Sequence, residues 1–481
     1  MPSQSRGLRW SIAASLLSSL LFAAGVSGAA PSWREQHDQL VIRLRALKDK
    51  EGDFGAAYQP LYHAMIGWYE AWGGRNDSPV DANMVSPEEY ASGLADALEH
   101  GRNFIAENRG CLFPLMFEKA LPGGRVVRCN YWLILPRGFP SEGRRFPLQV
   151  GLHGSGWLAH KISFARGKND DSPMFSVTPI DEAGPWQVDF LNAYLDELES
   201  ILPVDQDRVY LEGHSLGAMA TWEWSLDNPE RFAAISPRDG VGEPYRAIRL
   251  RNVPAWVIHG GKDDVIYPGY AEEMISAIRA TGGTARYSLL PEAPHNVPAD
   301  FDQASVVTWY LEHTRSHRPP PPDPRDALGL NDAGFSQWVV LTAPAGEYWR
   351  SAPVEEPDGV WEVRKDELPL FRKIQDRGLL VDEPIRQVFG PGRSRATLWL
   401  EVPPALAPQA ASDSSVVHVD ARKAARFYFR GTYRDGLAHA DLIAPQVAAS
   451  GRTFSGTVWV TPLSLWQNSP RGIAEYSVEL N

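Results

Sequence analysis

The sequence predicts an α/β fold: a mostly parallel central sheet between helices, with a helical extension before it and a C-terminal α+β accessory domain after it. Three observations carry that expectation. Gly213-His214-Ser215-Leu216-Gly217 follows the apolar run Val209-Tyr210-Leu211 and precedes the helix-like stretch Ala218 to Leu226. This is the strand, sharp turn and helix of a nucleophile elbow, where a Cβ in place of either glycine would clash. Phe146 to Leu152 and Ala255 to His259 are short, nearly unbroken apolar runs ending near glycines, as strands buried on both faces do. The pair Asp263-Asp264 and then His295 follow the ends of later strands. A nucleophile, an acid and a base thus occur in that chain order, each where a strand runs out.

At the N-terminus, Arg6 and Arg9 precede the apolar stretch Ser11 to Val26 and the small residues Ser27 to Ala30. That is the pattern of a secretory signal peptide over residues 1–30, cleaved near Ala29 or Ala30, and it implies a secreted or periplasmic protein. The stretch is short and rich in serine and alanine for a membrane span, so no stable membrane anchor is expected. Residues 31–110 carry helical spacing in Leu40, Val41, Leu44 and Leu47 and again in Tyr90, Leu94, Ala97 and Leu98, which predicts helices packed on the next domain. The two cysteines, Cys111 and Cys129, flank a hairpin expected to turn near Pro122-Gly123-Gly124. An oxidising compartment permits a bridge between them, but that register sets Cys111 nearer Ile134, so two inert buried thiols are the alternative.

Residues 111–318 are read as the catalytic domain, closed by a helix around Leu311. Pro319 to Pro322, Asp323 and Pro324 begin a stiff linker over residues 319–326, because successive prolines hold an extended helix. That composition predicts a separable C-terminal domain, residues 327–481, with few contacts back to the rest. This last part reads as two similar halves, each strand, helix, strand, strand. Val360 to Val363, Leu368 to Arg377, Ile385 to Phe389 and Thr397 to Val402 form the first; Ala424 to Phe429, Leu437 to Ala449, Gly456 to Thr461 and Glu475 to Leu480 form the second.

From about Arg128 to Arg315 the chain resembles the α/β-hydrolases, and within them the secreted esterases of the feruloyl and acetylxylan esterase, polyhydroxybutyrate-depolymerase-like and "predicted peptidase" group. The segments that carry the resemblance are Tyr131 to Gly138, Leu152 to Gly156, Asp207 to Gly217, Asn228 to Pro237 and Val253 to Asp264. It implies an α/β-hydrolase sheet and a serine esterase. Two departures set this chain apart: Ser215-Leu216-Gly217-Ala218 where the group often has SMGG, and Ala293-Pro294-His295-Asn296-Val297 where it has GHxxW. They alter the pocket rather than the catalytic atoms. The second half of the C-terminal part weakly resembles the gyrase-inhibitor-like or SOUL-type effector-binding fold, which would set Glu475 toward a bound cationic ligand; a solvated strand residue is the plainer reading.

A serine needs a histidine to take its proton and a carboxylate to orient that histidine. Ser215 is read as the nucleophile and His295 as the base, since a loop after the last strand lets the ring reach back to the elbow. Adjacent positions Asp263 and Asp264 compete for the acid; the His-Gly-x-x-Asp pattern of the resemblance selects Asp263. The oxyanion hole would use the backbone N–H of Leu216 and one from Gly154, Ser155 or Gly156. Trp157 and His214 are candidate pocket walls, while His153 and His259 sit in His-Gly pairs where a ring holds a turn. Trp222 and Trp224, in the helix after the elbow, are read as core.

The net charge of −12 and the lack of a basic run exclude a general nucleic-acid binder. With no HExxH, CxxC, Walker or dinucleotide glycine pattern, neither metal nor cofactor is expected. The function expected is an exported serine esterase acting on acyl or feruloyl esters, polysaccharide-linked ones among them. A prolyl-oligopeptidase-like peptidase and a hydrolase-fold ligand-binding protein are the alternatives.

Overall fold

The computed structural model describes residues 32–48, 58–73, 84–155, 164–165, 171–180, 186–296, 301–355, 366–392, 395–463 and 472–481. The expected signal peptide, Gly156, Trp157 and the strand expected at Val360 to Val363 lie outside the described residues. Four helices come first: α1 (Trp33–Lys48), α2 (Gln59–Trp72), α3 (Pro87–Glu99) and the single turn α4 (Phe104–Glu107). Helix α1 buries Val41, Leu44 and Leu47, one stripe at helical spacing. Helix α3 starts where Ser86 accepts the Glu89 N–H and Pro87 supplies a preset φ, and it buries Tyr90, Leu94 and Leu98. These helices share one core with the sheet that follows, Leu44, Leu61, Met65 and Tyr90 joining Phe113, Leu115 and Tyr131. They are a layer of the same domain rather than an appendage.

The first sheet is built from β1 (Phe113–Ala120), β2 (Val126–Ile134), β3 (Phe146–Leu152), β4 (Phe175–Ile180), β5 (Val204–His214), β6 (Ala234–Arg238), β7 (Ala255–Gly260) and β8 (Ala285–Leu290), in the order β1-β2-β4-β3-β5-β6-β7-β8. The pairs β1/β2 and β2/β4 are antiparallel, and every pairing from β4/β3 to β7/β8 is parallel. Helices α5 (Val188–Ile201), α6 (Leu216–Asp227), α7 (Pro268–Ala280) and α8 (Gln303–Leu311) complete it. Strands β3 and β7 are buried almost throughout, the consequence of parallel strands covered on both faces. In the β1/β2 hairpin Phe117 faces Cys129, so Cys111 lies well beyond its reach, and both thiols are buried and unbridged.

The C-terminal part contains β9 (Val339–Ala343), β10 (Gly346–Glu355), α9 (Leu368–Gln375), β11 (Arg386–Phe389), β12 (Arg395–Glu401), α10 (Ala407–Ala410), β13 (Val416–Val419), β14 (Arg422–Arg430), α11 (Tyr433–Leu442), α12 (Ala444–Ala449), β15 (Phe454–Pro462) and β16 (Ile473–Leu480). One antiparallel sheet runs β13-β10-β12-β11-β15-β16-β14-β9. The two strand-helix-strand-strand halves meet at the β11/β15 pair with mirrored strand order. Each half also receives an outer strand from ahead of the other: β9 pairs with β14, and β13 pairs with β10. The first half therefore opens at Gly346, upstream of Val360.

The expectation of a loosely tethered module is corrected. Tyr267 and Tyr270 at the start of α7 join Trp349, Leu370, Phe371, Ile374 and Val381 in one apolar cluster. A Cβ on Gly269 would come within 2.7 Å of the Phe371 ring, so this glycine admits the docking. The linker is held down too. Pro321 accepts a hydrogen bond from Arg249 at 2.7 Å, and the buried Arg246 bonds Asp323 at 2.6 Å and Glu243 at 3.0 Å. Proline stiffness here lays the chain along a surface rather than holding two bodies apart.

Candidate active site

Strand β5 ends at His214 and α6 begins at Leu216, leaving Ser215 alone to make the turn. It adopts φ 53° and ψ −117°, a left-handed conformation that L residues with a side chain adopt only when surroundings enforce it. Those surroundings are close-packed. A Cβ on Gly213 would lie 2.2 Å from the Gly217 carbonyl oxygen, and one on Gly217 would lie 2.0 Å from that of Leu152. Both glycines are therefore required by backbone contact. The Ser215 N–H donates to Arg238 O at 3.0 Å and its carbonyl accepts the Met219 N–H at 3.0 Å, which fixes Oγ above the carboxyl ends of the parallel strands.

Two loops bring the partners to it. The turn after β7 carries Asp263, whose Oδ1 accepts the N–H groups of Val265 at 2.9 Å and Ile266 at 2.8 Å. Its Oδ2 faces His295 Nδ1 at 2.8 Å, and His295 Nε2 stands 2.9 Å from Ser215 Oγ. Burial alone would raise the Asp263 carboxyl, but hydrogen bonds from His259, His295 and the Ile266 N–H hold it well below the usual carboxylate range. It is ionised at neutral pH and fixes the His295 proton on Nδ1, leaving Nε2 free to accept. Asp264 is exposed and takes no part in these hydrogen bonds.

The remaining histidines divide the supporting work. His153 bonds the Gly154 carbonyl at 2.6 Å and packs on Trp186, holding the turn after β3. His259, fully buried, donates to Ile266 O at 2.8 Å and lies 3.2 Å from Asp263 Oδ2, a second imidazole on the same carboxylate. His214 is half-buried; its Nε2 reaches the His295 carbonyl at 3.0 Å and Asp239 Oδ2 at 3.5 Å. It braces the backbone of His295. Burial disfavours its charge, yet the Asp239 carboxylate, the His295 carbonyl and Asp263 carry its pKa above the ordinary histidine value. Gly154 sits against the elbow: a Cβ there would be 3.0 Å from His214 Nδ1 and 3.2 Å from Ser215 Cβ. Ser155 follows, exposed, and Leu216 opens α6, where first-turn N–H groups lack helical partners.

Asp239 is the residue that sequence reading passed over. It is fully buried, takes φ 49°, and its Oδ1 accepts the Gly260 N–H at 2.8 Å, tying the end of β6 to the end of β7. The signal was an aspartate before glycine directly after a buried strand, Arg238-Asp239-Gly240. Asp239, His259 and Asp263 offer three ligand atoms within 4.8 Å of one another. Hydrogen bonds already engage Asp239 Oδ1 and both Asp263 oxygens, so these side chains are held by protein partners. Among the described residues no helix is long and apolar enough to cross a membrane.

No known family's sequence profile matches the chain. A bifunctional acetylxylan esterase/xylanase, XynS20E of Neocallimastix patriciarum, is 25% identical over 172 residues, 33% of this chain and 25% of that protein. The NocK esterase of Nocardia uniformis subsp. tsuyamanensis is 26% identical over 206 residues, 39% and 54% of the two chains. The chain thus spans about a quarter of one relative and half of the other. Among solved structures, a thermostable esterase aligns with TM-score 0.35 at 22% identity, over 42% of this chain and 63% of that one. An acylaminoacyl peptidase from Pyrococcus horikoshii aligns with TM-score 0.34 at 13% identity, over 47% and 45%. The S-formylglutathione hydrolase FrmB from Staphylococcus aureus aligns with TM-score 0.33 at 14% identity, over 42% and 99%. A parallel sheet entered through an antiparallel pair, with a strained serine after its fifth strand and an acid and a histidine after its last two, is the α/β-hydrolase architecture, and the chain from β1 to α8 has that fold.

Proposed function

We propose that the chain is an exported serine hydrolase that cleaves carboxylic esters through an acyl-enzyme, its substrates being acyl or feruloyl esters that include polysaccharide-linked ones. The observation that carries this reading is the continuous relay from Asp263 Oδ2 through His295 to Ser215 Oγ, at 2.8 and 2.9 Å. Ser215 Oγ attacks the ester carbonyl carbon while its proton passes to His295 Nε2, and Asp263 stabilises the imidazolium that forms. The oxyanion is held by the Leu216 N–H and a second N–H at Gly154 or Ser155, each such donor contributing about 3 kcal/mol to the barrier reduction. Collapse expels the alcohol, which takes the proton from His295. Water then enters, gives a proton to His295 and releases the acid, restoring the serine. The esterase names of the two curated relatives support ester over amide; Trp157 and His214 are proposed as walls of the substrate pocket.

The test is labelling by a fluorophosphonate probe followed by a panel of aryl esters, acetylated xylan, feruloylated oligosaccharide and peptide amides. The reading requires labelling at Ser215 and turnover of at least one ester class faster than every amide. Labelling with amide turnover dominant would assign a peptidase, and no labelling would leave a hydrolase scaffold used for binding.

A further inference from the structure

The seam between the hydrolase and C-terminal domains encloses a cavity of about 40 Å³, lined among others by Gly242, Tyr270, Glu273, Glu367, Ile385 and Pro462. Two carboxylates meet there from opposite sides. Glu273 lies on α7 of the hydrolase and is 7% exposed; Glu367 precedes α9 of the C-terminal domain and is 5% exposed. Its neighbour Glu272 shows what a satisfied buried glutamate looks like in this place. Glu272 accepts from the Val381 N–H and Gln375 Nε2, each at 3.1 Å, and from Tyr287 Oη at 3.3 Å. Glu273, one residue on and aimed into the cavity, has no hydrogen bond and no ion pair among the described residues. Tyr270 Oη donates to Glu367, and no Lys, Arg or His is among the described residues lining the space. Glu383 and Asp382 add further negative potential at Glu273.

An ionised carboxylate taken out of water without a counter-charge is far more costly than a hydrogen bond to water can offset. The cavity has room for an ion with a water or two, and the side-chain donors facing it among the described residues are the Glu273 and Glu367 carboxylates and the Tyr270 phenol, all oxygen. Such a set selects hard cations, and an irregular pocket of long side chains suits calcium better than the strict octahedron of magnesium. We propose that this seam binds a divalent cation, calcium in preference to magnesium, between Glu273 and Glu367, and that the ion fastens the C-terminal domain to the hydrolase. The rival is a single proton shared by the two carboxyl groups.

Thermal unfolding of the full mature chain, stripped with EDTA and returned to about 5 mM CaCl2 or MgCl2, separates them; that concentration exceeds the ~0.1–1 mM dissociation constants of extracellular calcium modules. Calcium should raise Tm by roughly 3–8 °C, and magnesium by less. Glu273→Gln and Glu367→Gln should each reduce the calcium response to under about 1 °C. A wild-type Tm indifferent to calcium and EDTA would overturn the proposal in favour of the shared proton, as would variants that respond like wild type. If neither variant folds, calcium content of the purified wild-type chain decides: about one equivalent per chain, lost on EDTA treatment, supports the site, and none refutes it. The readout needs no substrate, so it stands apart from the catalytic reading.

Discussion

Asp263→Asn is the substitution whose consequence the geometry fixes most tightly. The carboxylate accepts at both oxygens: two backbone N–H groups on Oδ1, and His295 with His259 on Oδ2. An amide can accept at only one. If its oxygen keeps the Val265 and Ile266 N–H groups, its NH2 faces His295 and must donate to Nδ1. The histidine proton then moves to Nε2, the atom that has to accept from Ser215, and the base is in the wrong tautomer. If the amide flips, two buried N–H groups lose their acceptor instead, at about 1–3 kcal/mol each. The first orientation is favoured, because two short backbone bonds hold it. The expected loss in kcat is therefore two to four orders of magnitude, roughly 3–5 kcal/mol of barrier, with KM little changed. Asp264→Asn, at an exposed position, should stay within about tenfold of wild type. Steady-state hydrolysis of an aryl acetate by the two variants, with circular dichroism to confirm folding, is the assay. An Asp263 variant within tenfold of wild type, or an Asp264 variant that loses more, would refute the tautomer argument.

Ser215→Ala should remove probe labelling and leave less than about a thousandth of the ester turnover, and His295→Ala should match it; either variant above that level would displace its residue from the relay. His214→Gln tests the brace on the base. Because the folded-state pKa of His214 is raised, its stabilisation is fully present below about pH 6.5 and fades as pH climbs through the raised value. The variant should accordingly lose more Tm at pH 5.5 than at pH 9, and equal losses would refute the charged contact with Asp239. A chain ending at Arg318 uncovers Tyr267, Tyr270 and the carboxylates of α7, so it should be insoluble or melt at least about 5 °C below the full chain. A truncated chain with unchanged Tm would show that the apolar seam contributes nothing.

The elbow was legible in the sequence because its cause is local. Gly213 and Gly217 are demanded by contacts within the turn itself and with the adjoining strand end, so they sit at fixed spacing from Ser215. The choice between Asp263 and Asp264 was not local. Neighbouring residues on a turn point to opposite sides, and what selects Asp263 is His295, 32 positions away, together with the two N–H groups that Val265 and Ile266 present. Asp239 escaped notice for the same reason. Its work is done across strands, on the backbone of Gly260 and the ring of His214, and the local Asp-Gly after a buried strand marks only a turn, not those contacts. Strand β4 escaped notice because its burial comes from its place between β2 and β3 rather than from its own pattern.

The linker shows how composition can be read correctly and applied wrongly. Prolines at 319–322 and 324 do hold an extended chain, but stiffness fixes only the local path and says nothing about what lies beside it. Here a buried arginine, Arg246, waits 77 residues earlier, held by Glu243 and Asp227 and bonded to the linker aspartate, and Gly269 leaves a gap of one side chain for Phe371. Each is unremarkable alone: an arginine in a short helical turn, a glycine next to a proline at a helix start. Their meaning exists only once α7 is placed against α9. The same holds for Glu273. A glutamate inside a helix reads as a solvated face, since charged residues are seldom buried, and this one becomes informative only because a second domain closes over it and brings Glu367 to the same cavity. Docking thus converts an ordinary surface glutamate, Glu273, into a buried carboxylate facing Glu367 across the cavity, and with the proposed cation it makes the calcium response of the full chain a measure of that contact.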